Sequence, residues 1–240
     1  MSSTNDKIGK FVPLDRIIND LENYCNKNHF IGYDPYDGLQ SKLFCSIPFI
    51  RTNRLCRLAW IQFHKRSPVN LRKWIGVRPL PNAKTYAIFL MAYCRWYKHE
   101  PNEKLLEKIK YLVREIKQLK QNGYQGACWG YPFDWQSKSF FLKANTPSSV
   151  CTSFVLQALL DAYDILDDQY LLELCFSGAN FFLKDLHRRE YEQGYFSISY
   201  SPHDYSEVYN ASYLVAAVLS RLNKYRADEN WKTAAKKLID

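Results

Sequence analysis

The chain has 240 residues, 47% hydrophobic and 24% charged, which is enough for one good core or two small ones and too apolar for a disordered segment. No apolar run approaches the roughly 18–20 residues that cross a bilayer, and no apolar segment follows Met1–Lys7 as it would in a secretory leader. Of the net charge of +9, the stretch from Arg51 to Arg78 carries +8 and no Asp or Glu. Such a run points either to an anionic partner or to a solvated helix face.

Residues 1–12 read as a flexible N-terminus ahead of a single domain. Pro13–Asn28 reads as a helix, with Pro13 in the first turn and Leu14, Ile17, Ile18, Leu21 and Cys25 at helical spacing. Gly32–Pro48 is a loop, Thr52–Lys65 a second helix, and Ser67–Pro81 an irregular linker broken by Pro68, Pro79 and Pro81. Helices follow at about 83–98, 102–121, 148–166, 168–187, 207–224 and 227–238. Between them, 122–146 and 188–206 are long for helical connections, which suits functional loops. In the second, Phe196, Ile198 and Tyr200 alternate with serines, the pattern of a short β-hairpin. Thr146-Pro147 reads as an N-cap followed by a first-turn proline.

Three of these segments repeat one unit. Setting Asn102-Glu103-Lys104-Leu105 on Asp168-Gln169-Tyr170-Leu171 gives an offset of 66, and setting the latter on Asp228-Glu229-Asn230-Trp231 gives 60. A helical hairpin cannot bury its own apolar face, so repetition implies stacking. The first helix of each unit is apolar nearly all round. The helix 102–121 is charged with one apolar stripe, Leu105, Ile109, Leu112, Val113, Ile116 and Leu119. Inner and outer helices in alternation describe an all-α fold, an (α/α) toroid. Leu156, Leu159, Leu214 and Val218 are therefore expected to be buried, and Lys108, Glu115 and Lys117 exposed.

The chemistry-bearing residues lie in the loops. Seven scattered cysteines without a CxxC pair fit reduced thiols and a cytoplasmic location. The five histidines form no metal-ligand pattern, and no phosphate or dinucleotide loop is present, so neither metal nor cofactor is expected. What remains is acids among aromatic rings: Asp34 and Asp37 beside Tyr33 and Tyr36, Asp134 between Phe133 and Trp135, and Asp204 after His203. Sugars offer apolar C–H faces to rings and hydroxyls to carboxylates. Acids desolvated by rings can also hold a proton for acid/base work. Asp134 is the first choice for acid/base, with Asp34 or Asp37 as its partner. Tyr33, Tyr36, Trp129, Tyr131, Trp135, Tyr200 and His203 would line the saccharide site. Each has a plainer reading: Asp34 and Asp37 as turn residues, Asp134 as a cap or ion-pair member, the tryptophans as loop packing.

Gly32-Tyr33-Asp34-Pro35-Tyr36-Asp37-Gly38-Leu39, Trp129-Gly130-Tyr131-Pro132-Phe133-Asp134-Trp135-Gln136-Ser137, Thr146-Pro147, Ser199-Tyr200 and Tyr209-Asn210 resemble a family of six-hairpin-glycosidase-like proteins of bacterial and archaeal polysaccharide and capsule biosynthesis. The resemblance runs from about Gly32 to the end. It implies an (α/α)6 toroid like those of glycosidases, polysaccharide lyases and uronyl epimerases. Similar chains continue through further hairpins, so about four of six are expected here. An incomplete ring implies self-association or a completing partner chain against 207–238. The expected partner is a saccharide or acidic glycan, with nucleic acid disfavoured. Two rivals are a noncatalytic scaffold of glycan synthesis and an isoprenoid-cyclase-like toroid, although neither DDxxD nor DxDD occurs.

Overall fold

The computed structural model describes residues 13–238, so the reading of residues 1–12 lies outside the described residues. Among the described residues ten α-helices are arranged as α1 Leu14–Lys27, α2 Lys42–Cys45, α3 Pro48–Thr52, α4 Arg54–Arg66, α5 Ala83–His99, α6 Glu103–Gln118, α7 Ser149–Leu166, α8 Gln169–Asn180, α9 Tyr209–Leu222 and α10 Glu229–Lys237. Two small antiparallel hairpins join them, β1 Trp135–Gln136 with β2 Phe141–Leu142, and β3 Arg188–Glu190 with β4 Phe196–Ile198.

The three repeats are three hairpins. α5 packs on α6, α7 on α8 and α9 on α10, while α5, α7 and α9 pack side by side as an inner row. The positions that align between repeats are the N-caps of the outer helices: the side chains of Asn102, Asp168 and Asp228 accept backbone N–H groups of the first turn. α7 is the centre of the core, with Val155, Leu156, Ala158, Leu159 and Leu160 fully buried. By length and mean hydropathy alone (18 residues, 1.3) it could cross a membrane, yet 61% of it is buried in the bundle. Its interspersed Ser, Thr, Gln and Asp residues keep every unbroken apolar run in it short. Its cap is Ser148, whose side chain accepts from Cys151 N–H; Thr146-Pro147 lies upstream of the cap and does not form it. Gly178 of α8 lets the hairpin close, since a Cβ there would lie 2.4 Å from Leu156 Cδ1.

Leu156, Leu159 and Val218 are buried and Leu214 half-buried. The outer helix α6 differs from expectation: Lys108, Glu115 and Lys117 are all only partly exposed. α1 covers one edge, where Glu22 pairs with Lys108, and on the other edge Lys117 Nζ stands 4.3 Å from the Tyr170 ring centre of α8. Tertiary neighbours, not α6's own pattern, dry those side chains. α1 and the second predicted helix do not form a hairpin. α4 packs chiefly on α3, on β1 and on the 3-10 turn Asp37–Gln40, and among the described residues three hairpins are of the inner–outer kind. Cys25, Cys94, Cys128, Cys151 and Cys175 are buried as small apolar side chains, Cys56 is half-buried and Cys45 is exposed.

α4 also buries His64. Its ring meets Trp60 edge-on at 4.9 Å, it lies against Gly38, and its Nε2 has no hydrogen-bond partner among the described residues. Burial pushes the imidazole pKa below its usual value, helped by the Arg72 charge. A histidine whose folded pKa is depressed stabilises the fold above the unfolded pKa of about 6.5, and that stability is lost as pH falls through the folded value. Thermal stability is therefore expected to fall between about pH 7 and pH 5, with a shallower decline in His64→Leu. Parallel pH profiles for the two proteins would show that the acid sensitivity arises elsewhere.

Candidate functional site

The loop 121–148 is laid across the inner helices by backbone contacts. Trp129 N–H donates to Thr152 Oγ1 at 3.0 Å, Ser148 N–H donates to Trp129 O at 3.0 Å, and Asn145 N–H donates to Tyr131 O at 2.7 Å. The crossing needs Gly130, where a Cβ would stand 2.2 Å from Thr146 O. Trp129 is 0% exposed, and its Nε1 donates to Ile116 O at 2.8 Å. It anchors the loop in the core and faces no ligand space, so its assignment to a saccharide platform is corrected here.

Beyond Gly130 the rings gather. Trp135 meets Tyr36, Tyr131, Phe140 and Tyr200 edge-on at 6.0, 6.2, 5.4 and 5.4 Å, and Tyr131 stacks on Phe133 at 5.6 Å. Tyr200 is buried behind this layer, stacked on Phe140 at 4.9 Å, and burial pushes its hydroxyl pKa up to about 12. Burial raises the Tyr131 hydroxyl as well, with Tyr200 adding to the effect.

A second turn, 33–37, meets this aromatic layer. Asp34 Oδ1 accepts from Tyr36 N–H at 2.9 Å, and Asp37 Oδ2 accepts from Asp34 N–H at 2.9 Å. Arg72 fastens the turn from outside: its Nε donates to Asp37 Oδ1 at 2.6 Å and its Nη2 to Asp34 O at 3.1 Å. Asp37 is 3% exposed and spends its carboxylate on this clamp. It holds the turn, and its candidacy as an acid/base group is corrected accordingly. Burial raises the Asp34 carboxyl pKa above its ordinary value, and the Asp37 charge adds to this against the pull of the Tyr36 N–H, Lys84 and Arg72.

Between the turn and the aromatic loop lies a cleft of about 320 Å³, floored by the start of α5. Tyr36, Tyr131, Phe133 and Trp135 supply its rings, and Asp34, Asn82, Lys84 and Thr85 its polar groups. Tyr33 borders a small adjoining recess with Arg78. Asp134 belongs elsewhere. The chain bends at Pro132–Phe133 just before β1, and Phe133 and Trp135 line the cleft while Asp134 does not. Its Oδ1 accepts from Ala144 N–H at 2.8 Å, and it lines a separate cavity of about 450 Å³ with Arg51, Arg57 and Lys143. Asp134 and Asp34 do not share a cleft. His203 is exposed in a turn held by Asp204 and is not among the cleft residues.

Lys84, Asn82 and Thr85 were not read from the sequence as site residues. Their signal was present: three polar residues open the otherwise apolar helix α5, with Asn82 accepting from Lys84 N–H as its cap. The eight cations of 51–78 do not form one patch. Arg72 is buried on Asp37, Lys65 donates to the Tyr36 hydroxyl at 2.7 Å, and Arg57 donates to Gln136 Oε1 at 2.8 Å. Among the described residues, no three His, Cys, Asp or Glu side chains gather as ligands for a metal ion.

No family model matches the chain, and no curated protein sequence matches it. Among solved structures it is similar to a GH76 α-mannanase of Bacteroides thetaiotaomicron, with a TM-score of 0.50 and 14% identity over 67% of this chain. The fold is that of an α/α toroid. It is also similar to a sugar epimerase from a ruminal bacterium (TM-score 0.49, 16% identity, 68% of this chain). A third similar structure is an inactive variant of the α-1,6-mannanase of Salegentibacter sp. with α-1,6-mannotriose (TM-score 0.48, 13% identity, 86% of this chain). The chain spans 44% of the first mannanase, 44% of the epimerase and 60% of the second mannanase.

Proposed function

We propose that the cleft beside Asp34 binds a saccharide of a polysaccharide or its precursor, and that Asp34 moves a proton in its processing. The observation that carries this reading is one desolvated carboxyl set among four rings at the mouth of an inner helix. Hydrolysis across a glycosidic bond uses two carboxyl groups roughly 5–10 Å apart. Here Asp37 is locked to Arg72 and Asp134 faces another cavity. A single acid with the Tyr131 hydroxyl and the Lys84 ammonium suits proton abstraction beside a sugar carboxylate, the chemistry of a lyase or epimerase. Lys84 would hold the carboxylate, Asp34 would take or return the proton, and Trp135 and Tyr36 would pack on the ring faces.

The test offers uronate-containing oligosaccharides, and manno-oligosaccharides as neutral controls, in heavy water. Deuterium entering the sugar next to its carboxylate, or an unsaturated product, supports the reading. Absence of both exchange and binding across the panel sinks it. Trp135→Ala is expected to weaken saccharide binding about thirty-fold, as loss of a central aromatic anchor does, with calorimetric titration as the measurement and circular dichroism as the fold control. Unchanged affinity would remove Trp135 from the site.

A further inference from the structure

From Gly38 to His99 the chain contains no Asp or Glu. Within that stretch, α2, α3, α4 and the segment 67–76 form a cap whose large apolar side chains face solvent. Trp74 is 87% exposed, Phe49 75% and Leu55 73%. On α4, Leu55, Ala59 and Phe63 recur every four residues on the exposed face, so they form one stripe. α3 ends one residue before α4 begins and packs on it, which sets Phe49 near the stripe's start. Leu43 N–H donates to Ile75 O, which ties the Trp74 turn to α2. Scattered single apolar residues need no explanation, but so many exposed large apolar side chains on packed neighbouring elements do.

Cations are interleaved with these side chains. Lys42, Arg51, Arg54, Arg66 and Lys73 are exposed, and none forms an ion pair among the described residues. Arg57 is held by three hydrogen bonds. Its Nη1 donates to Arg51 O and Thr52 O, its Nε to Gln136 Oε1, and its guanidinium lies over the Phe141 ring at 4.3 Å. Among the described residues its Nη2 has no hydrogen-bond acceptor, and the cavity it lines with Arg51 and Lys143 also holds the Asp134 carboxylate.

We propose that this cap docks on a bilayer surface bearing anionic phospholipid. Tryptophan, phenylalanine and leucine beside arginine and lysine, with no acid, is the composition of an interfacial element. Trp74, Phe49 and Leu55 enter the headgroup boundary, and Arg66 and Lys73 face lipid phosphates. Nucleic acid fits less well, because aliphatic Leu43, Leu55 and Val69 offer bases nothing to stack on. This surface is separate from the saccharide cleft, and its test needs no sugar.

The experiment is co-sedimentation of the whole chain with vesicles of phosphatidylcholine alone and of an equal mixture with phosphatidylglycerol. Binding is expected to the mixed vesicles at low salt, to fall as salt rises, and to be absent with phosphatidylcholine alone. Each cation near the surface contributes roughly five-fold, so Arg66→Glu with Lys73→Glu should weaken binding more than about twenty-fold. Phe49→Ser with Trp74→Ser should abolish saturable binding at moderate salt while leaving the unfolding temperature unchanged. The proposal is overturned by no binding at low salt, by equal binding to neutral vesicles, or by variants that bind like the parent. It is also overturned if the parent sediments as a dimer that Phe49→Ser with Trp74→Ser dissolves, which makes the face a contact between copies. Preferred binding of a mixed-sequence single-stranded oligonucleotide, insensitive to those two substitutions, would assign the cations to nucleic acid instead.

Discussion

Arg72→Met is expected to cost about 3–5 kcal/mol of stability, because it leaves the Asp37 carboxylate buried without its cation. The pair is dry on both sides, with side-chain exposures of 11% and 5% and a separation of 2.6 Å. The same guanidinium holds Asp34 O, so its loss also loosens the turn that presents Asp34 to the cleft. For a domain of this size the midpoint should fall by about 10 °C or more. Removing both charges together, Arg72→Met with Asp37→Leu, should recover most of the loss, since a buried pair gains little over apolar packing of similar volume. Calorimetric unfolding of the two proteins is the measurement. A single variant within about 1 kcal/mol of the parent would mean that water reaches Asp37 and the clamp is weak.

Asp34→Asn is expected to lower turnover about 10²- to 10⁴-fold, the usual share of a positioned acid or base, while saccharide affinity changes little. Stability should move the other way. Burial raises the Asp34 pKa above its unfolded value, so the folded chain holds this proton more tightly than the unfolded chain does. The stability linked to that proton is present below the unfolded pKa and is lost as pH rises through the folded pKa. At neutral pH the buried charge is a cost, and asparagine removes it while its Oδ1 can still accept the Tyr36 N–H. The variant should match the parent near pH 4 and melt higher near pH 7, on the scale of ordinary carboxylate titration. Turnover that survives the substitution would end the acid/base assignment. Lost turnover together with lost stability would instead make Asp34 a structural turn residue.

The hairpins were legible because their determinants are local. Asn102, Asp168 and Asp228 announce a helix start by their own chemistry, and the apolar inner helices read as inner without knowledge of their neighbours. Aromatic-flanked acids were legible only as a class. Asp134 lies between Phe133 and Trp135 in the chain, and that adjacency suggested a shared environment. Its carboxylate instead accepts from Ala144 N–H and lines another cavity, so adjacency in the chain did not mean a common site. Asp34 sits in a turn, where its chain neighbours and its spatial neighbours coincide. Asp37 was obscured by a partner 35 residues away, which no local pattern reveals. Trp129 shares a motif with Tyr131 and Trp135, yet the crossing at Gly130 sends it to the core and them to the half-buried cleft.

The distribution of the seven cysteines has a chemical consequence. A thiol reacts through its thiolate and in proportion to its access. Burial pushes the Cys94, Cys128 and Cys151 thiols up to about 12, and raises Cys175 and Cys25 as well. Cys45, at the end of α2, is the exposed thiol among the described residues. A maleimide dye added at neutral pH will therefore reach Cys45 ahead of the buried five. The natural chain thus carries its own attachment point for a fluorophore, inside the cap and a few residues from Phe49. Emission from that position would report whether the cap has left water, without any substitution in the protein.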